Sequence, residues 1–219
     1  MLTHGNCIEA LRGLPSNSID ACITDPPYGI NLRPGWGRNR PIAGDGRSEA
    51  KELWAAAVPQ MSRLAKDNTA HLFFSAWSET WVKTILEQHF TVKGAVVWVK
   101  NNFGLGFYLR PQFEMAYYCH KGKPPRPAKA PSNVWACAKV HLPVHACEKP
   151  VPLLQNAIRL TCTGIRRAVI LDPFMGVGST GVAAALDHHA FIGMELDAEY
   201  FAVARKRIET AQQRFGRVA

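Results

Sequence analysis

The sequence contains no run of 18 consecutive apolar residues, so no membrane-spanning helix is expected. It also contains no Cys-x-x-Cys pair, since its six cysteines (Cys7, Cys22, Cys119, Cys137, Cys147 and Cys162) are scattered singly. Met1–Asn6 lacks the basic start and apolar stretch of a signal peptide. The thiols therefore read as reduced side chains of a cytoplasmic protein, not a disulfide framework. Internal repeats and long low-complexity segments are absent as well. Acid is scarce: 17 Asp plus Glu face 26 Lys plus Arg, a net charge of +9. Between Gln88 and Cys147 one acid, Glu114, stands among eight basic residues (Lys93, Lys100, Arg110, Lys121, Lys123, Arg126, Lys129 and Lys139). A basic stretch of this kind implies a polyanionic partner, nucleic acid first, or else a solvated face.

What is present is enough for a core. With 219 residues, 47% of them apolar, the chain fits one full-sized domain and not a disordered polymer. Strand-like runs fall at 19–24, 69–75, 91–99, 113–119, 168–171 and 190–195. Helical spacing falls at 49–64, where Pro59 should introduce a kink, at 79–88 and 150–160, and from about 179 and 198. The alternation implies an α/β domain with a mostly parallel sheet and helices on both faces. Residues 31–47, rich in Gly, Pro and Arg, and 120–147, with Pro124, Pro125, Pro127 and Pro131, are expected to be irregular.

Two motifs carry chemistry. Gly176, Gly178 and Gly181 form G-x-G-x-x-G between a strand and a helix, with Glu195 nineteen residues beyond Gly176. That is a nucleotide-binding fingerprint with a ribose-binding acid, unless the glycines serve only a tight turn. Asp172-Pro173-Phe174 intervenes between strand and glycines. A carboxylate there would repel a pyrophosphate but suits a ligand bearing an ammonium and a sulfonium. S-adenosylmethionine therefore fits better than NAD. Too little chain follows the loop for a second nucleotide-binding half.

The second motif is Asp25-Pro26-Pro27-Tyr28, at the carboxyl end of a strand. An amino group on a heteroaromatic base is a poor nucleophile because its lone pair is delocalised. Two acceptors on its two hydrogens, the Asp25 carboxylate and the Pro26 carbonyl, would draw the nitrogen toward tetrahedral geometry. Tyr28 would offer a ring for an extruded base to stack on. The plainer reading is a rigid proline turn with a buried tyrosine.

These residues resemble the amino-group DNA methyltransferases, in the group whose catalytic tetrapeptide precedes the cofactor loop. Asp25-Pro26-Pro27-Tyr28 resembles the catalytic tetrapeptide, and Trp98-Val99-Lys100 with the Glu114 strand the middle blocks. His145-Ala146-Cys147-Glu148-Lys149-Pro150 resembles the His-Pro-Thr-Gln-Lys-Pro box. Asp172-Pro173-Phe174 with the glycines resembles the cofactor loop, departing at Ser179 before Thr180, and Gly193-Met194-Glu195 the ribose-binding strand.

The resemblance implies a single methyltransferase domain over 1–219 with a seven-stranded, circularly permuted Rossmann-like sheet. It implies a target-recognition insertion at about 120–144 and a mobile basic loop at about 31–47. The implied reaction is extrusion of a base from double-stranded DNA and direct methyl transfer from S-adenosylmethionine to its amino group. Asp25, Pro26, Pro27 and Tyr28 would be catalytic. Asp172, Phe174, Gly176, Gly178, Ser179, Thr180, Glu195, Lys149 and Pro150 would bind the cofactor, without metal. Aspartate in the first position favours N6 of adenine over N4 of cytosine. No Pro-Cys pair exists to support attack at a cytosine ring carbon.

Lys121, Lys123, Arg126 and Lys129, with Arg38 and Arg40 of the earlier loop, are expected to meet DNA phosphates. Cys137, His141, His145 and Cys147 have zinc-like composition, but their spacing matches no standard module. A homodimer and a restriction–modification setting are further expectations from the resemblance. The readings that remain beside adenine methylation are cytosine-N4 methylation, an NAD-linked oxidoreductase and an inactive DNA-binding module.

Overall fold

Along each central strand, successive side chains enter two different cores. Ala21, Ile23, Leu72, Phe74 and Ile170 point into one, while Cys22, Phe73 and Leu171 point into the other. Burial on both sides is why these segments read as continuous apolar runs. The computed structural model of the protein describes residues 1–30, 44–104, 106–141 and 148–215.

Its elements are β1 (Leu2–His4), α1 (Cys7–Arg12), β2 (Ala21–Thr24), α2 (Arg47–Leu64), β3 (Thr69–Ser75), α3 (Trp81–Glu87) and β4 (Thr91–Val99). Then come β5 (Phe113–Lys121), β6 (Val134–Ala136), α4 (Val151–Thr161), β7 (Val169–Asp172), α5 (Ser179–Leu186), β8 (Ala190–Glu195) and α6 (Ala198–Phe215). Helices α1, α2 and α3 cover one face of the sheet and α4, α5 and α6 the other. Helix α2 continues through Pro59 to Leu64. Among the described residues, no helix is long and apolar enough to cross a membrane.

The sheet has eight strands in the order β1-β8-β7-β2-β3-β5-β4-β6, with only β5 antiparallel to its neighbours. The expected seven strands become eight because β6 pairs with the outer edge of β4. It lies inside the proline-rich segment expected to be irregular. Trp135 buries its ring there, Trp98 donates its indole N–H to the Cys137 carbonyl at 2.8 Å, and Asn133 donates to the Ala95 carbonyl at 2.9 Å. Three anchored residues suffice to extend an edge whose sequence is too short to show a period.

Strands β2 and β7 lie side by side in parallel. From β7 the chain crosses to β8 on one side, and from β2 it crosses to β3 on the other. The order therefore reverses between them. In open α/β sheets a crevice opens at the carboxyl ends of such a pair, and that is where ligands bind. Asp172 ends β7 and Asp25 follows β2, so both motifs meet at this crevice.

Candidate functional site

The turn after β7 is shaped by its glycines. Gly176 has φ +52, and nothing lies within 4 Å of where its Cβ would stand. Gly178 has φ +82, and a Cβ there would meet Ala204 of α6 at 2.9 Å. The first glycine leaves open space and the second lets the loop close onto α6. Glu195, at the end of β8, accepts from the Gly176 N–H at 2.9 Å and the Asp197 N–H at 2.8 Å. These hydrogen bonds from main-chain amides fix the carboxylate and leave lone pairs for a ligand's hydroxyls. Ser179, first residue of α5, buries an Oγ that has no hydrogen-bond partner among the described residues. An open face, an orphaned hydroxyl and a fixed carboxylate together fit an adenosyl ligand.

Asp172, expected to touch the cofactor, is turned inward. The Thr24 hydroxyl donates to it at 2.7 Å and the Phe174 N–H at 3.1 Å, and the Thr180 hydroxyl bonds to it as well. Burial pushes its carboxyl up to about 6 against the pull of those donors, and nearby Asp25 adds to the rise. Asp172 therefore straps the end of β7 to the end of β2. Phe174 is half-buried against the α1–α3 core, and Thr180 is buried beneath the loop.

On the β2 side the tetrapeptide is held by side chains. Trp54 of α2 donates its indole N–H to the Pro27 carbonyl at 3.0 Å. Among the described residues no donor reaches the Pro26 carbonyl. The Tyr28 hydroxyl donates to Asp25 Oδ1. Lys149 donates to Asp25 Oδ2 and approaches Glu114 Oε2 at 3.0 Å, while Lys100 pairs with the other Glu114 oxygen. The Lys149 ammonium also lies 5.3 Å from the Phe74 ring centre and 5.6 Å from that of Tyr28. Burial alone would raise the Glu114 carboxyl, but Lys149 and Lys100 outweigh it and pull it down to about 2.

Lys149 was expected at the cofactor, and its ammonium is bonded to Asp25 of the tetrapeptide. Pro150 is the residue capping α4, which aims Lys149 at the crevice. Glu114, read in the sequence as the lone acid of a basic stretch and as part of a matching strand but not as a site residue, is the second carboxylate of this cluster. The signal that marks it is its isolation as the one acid among eight basic residues.

The basic residues expected on DNA are not brought to this site. Strand β5 runs against its neighbours, so Lys121 at its end lies at the sheet edge opposite Asp25. There its ammonium caps α2, donating to the Ala65 carbonyl at 2.7 Å and the Ser62 carbonyl at 3.0 Å. Lys121, expected at a DNA phosphate, thus has its ammonium on two carbonyls at the end of α2. Lys123, Arg126 and Lys129 are exposed, but their segment starts at that same far edge. Pro127 and Ala128 sit there beside Cys162 and Gly164 at the distal end of α4. Arg38 and Arg40, with His145 and Cys147 of the zinc-like set, lie outside the described residues. Cys7, Cys22, Cys119 and Cys162 are buried, with thiols pushed upward by burial.

Two such motifs meeting at one crevice fit methyl transfer to an amino group. A family model described as DNA methylase, covering N6 and N4 amino methylation, matches residues 19–206, and the chain belongs to that family. A relative named as a methylase, YubD of Escherichia coli, is 31% identical over 212 residues, covering 96% of this chain and 90% of its own. The DNA adenine methyltransferase YhdJ of Escherichia coli is 25% identical over 255 residues, covering 96% of this chain and 83% of its own. The structure of the M1.HpyAVI–SAM complex superposes with TM-score 0.73 at 25% identity, covering 95% of this chain and 98% of that one. The family uses S-adenosyl-L-methionine as methyl donor.

Proposed function

We propose that this protein methylates the exocyclic N6 amino group of adenine in double-stranded DNA, with S-adenosyl-L-methionine as donor. The observation that carries the reading is the junction of the two motifs. Thr24, one residue before Asp25, is bonded at 2.7 Å to Asp172, which opens the glycine loop. The S-adenosyl ligand supplies an electrophilic methyl group. Glu195 would receive its ribose hydroxyls, and Ser179 would donate the Oγ proton that has no other partner.

The chain's own residues then prepare the nucleophile. Asp25 accepts one hydrogen of the amino group, and the Pro26 carbonyl accepts the other. The proline fixes that carbonyl in advance, so no reorganisation is needed as charge develops. The Tyr28 hydroxyl, bonded to Asp25, sets the plane of the ring on which the base stacks. In the free protein both Asp25 oxygens hold a donor, Tyr28 on one and Lys149 on the other, with Glu114 on the far side of Lys149. Substrate entry therefore exchanges one donor for another on Asp25, and Glu114 keeps the ammonium paired.

A second reading, N4 of cytosine, shares every step and is favoured by the breadth of the family, which covers both amino groups. The Asp in first position and the similarity to an adenine enzyme support adenine. Nucleoside mass spectrometry of unmethylated duplex DNA, incubated with protein and donor, separates the two. N6-methyladenine is expected. N4-methylcytosine would keep the mechanism and overturn the base, and no modified nucleoside despite donor binding would overturn the substrate.

A further inference from the structure

The carboxyl edge of the sheet carries a feature that neither motif uses. Of the ten exposed large hydrophobics among the described residues, five lie in one stretch: Phe103, Phe107, Tyr108, Leu109 and Phe113. Phe107, Tyr108 and Leu109 are consecutive and stand 105%, 100% and 86% exposed. Solvated apolar side chains in isolation are ordinary, but three in succession at a loop tip mark a contact surface.

The loop that presents them, residues 100–112, leaves β4 at its carboxyl end, the edge where Asp25 lies. Its stem is built. The Lys100 N–H donates to the Gln112 carbonyl at 2.8 Å, and the Gly104 N–H to the Pro111 carbonyl at 2.7 Å. Arg110 donates to the Gly104 carbonyl at 3.0 Å and stacks 5.3 Å from the Phe103 ring centre. The stem is also wired to the active site, since Lys100 pairs with Glu114, Glu114 with Lys149, and Lys149 with Asp25. At full extension seven residues separate Lys100 from Phe107 by at most about 25 Å, enough to reach the crevice three strand positions, or about 14 Å, away.

Charge selects the occupant. Residues 101–113 contain no acid, Arg110 directly follows the tip, and Lys139 lies beside the stem. Lys139 is placed by its N–H bond to Asn101 Oδ1 at 3.2 Å. An apolar point between cations suits a polyanion whose interior is apolar, namely a base stack between phosphates. Taking a base out of a duplex leaves a gap, and planar or branched apolar side chains fill such gaps.

We propose that Phe107, Tyr108 and Leu109 form a wedge that enters the DNA stack beside the extruded base. This rests on the reading that the protein acts on bases within duplex DNA. The test uses the full chain and a variant carrying Phe107→Ser, Tyr108→Ser and Leu109→Ser, matched to the native chain in melting temperature and donor binding. Methyl transfer from labelled donor is measured on long unmethylated duplex DNA and on the same DNA heat-denatured. Hydroxyl-radical footprinting of the native chain follows protection of the 103–113 peptide when duplex is added.

The expected result is protection of that peptide, with a loss of at least tenfold on duplex and less than twofold on single strands. No protection by duplex, or equal losses on both forms of DNA, would overturn the wedge. Protection that grows with protein concentration in the absence of DNA would overturn it in favour of a self-association surface. If the native chain modifies neither form of DNA, the functional reading itself fails, and the wedge falls with it.

Discussion

Around Gly176 and Glu195 the chain is held by main-chain amides and glycine contacts, whereas around Asp25 it is held by side-chain charges. The first half-site draws on near neighbours in the chain, within 169–204. The second draws on residues far apart in the chain: Asp25 from the end of β2, Glu114 from β5 and Lys149 from the entry to α4. A donor site must receive the same ligand each cycle and can be preformed in backbone. An acceptor site must exchange its internal donor for a substrate's, and a lysine between two carboxylates can do that.

The comparison can be broken at its charged side first. The Glu114 carboxyl ionises at about 2 in the fold against an ordinary value of 4.5. Its contribution is therefore fully present above about pH 4.5 and lost as pH falls through 2. Glu114→Gln should destabilise the protein by about 3 kcal/mol at pH 7. The gap between native and variant should close between pH 4.5 and 2, as urea unfolding at stepped pH will show. A gap independent of pH would mean that charge does not hold this half together.

On the backbone side, Gly178→Ala places a Cβ 2.9 Å from Ala204 at a positive φ. The cost should be about 2 kcal/mol. Donor affinity should fall alongside stability, with no change in pH dependence, read by calorimetric titration and unfolding. The smallest effect concerns the two sheet edges. Lys121→Ala should cost about 1 kcal/mol by removing the α2 cap and leave DNA affinity unchanged. Lys139→Ala, at the carboxyl edge of the sheet, should instead reduce the salt dependence of DNA binding by about one ion.

What was legible in the sequence follows the same division. Strands Thr69–Ser75, Thr91–Val99 and Ala190–Glu195 match the readings at 69–75, 91–99 and 190–195, because burial on both faces writes itself as an apolar run. The glycine loop was legible because its geometry depends on local φ values. The three-residue strands β1 and β6 were not, since three residues show no period. Nor was the role of Lys121, whose carbonyl partners lie 56 and 59 residues earlier in the chain. Its basic, proline-rich surroundings suggested DNA, whereas the antiparallel run of β5 carries it to the far edge. Lys149 stands out in the sequence through its box, but its bond to Asp25, 124 residues away, could not be read from spacing.

The separation of the two half-sites is tested most directly by Asp25→Ala, measured for donor binding by calorimetry and for methyl transfer to duplex DNA. Transfer should fall by at least about 100-fold while donor affinity stays within about twofold. Near-native transfer, or joint loss of binding and transfer, would contradict the assignment of Asp25 to the acceptor side alone.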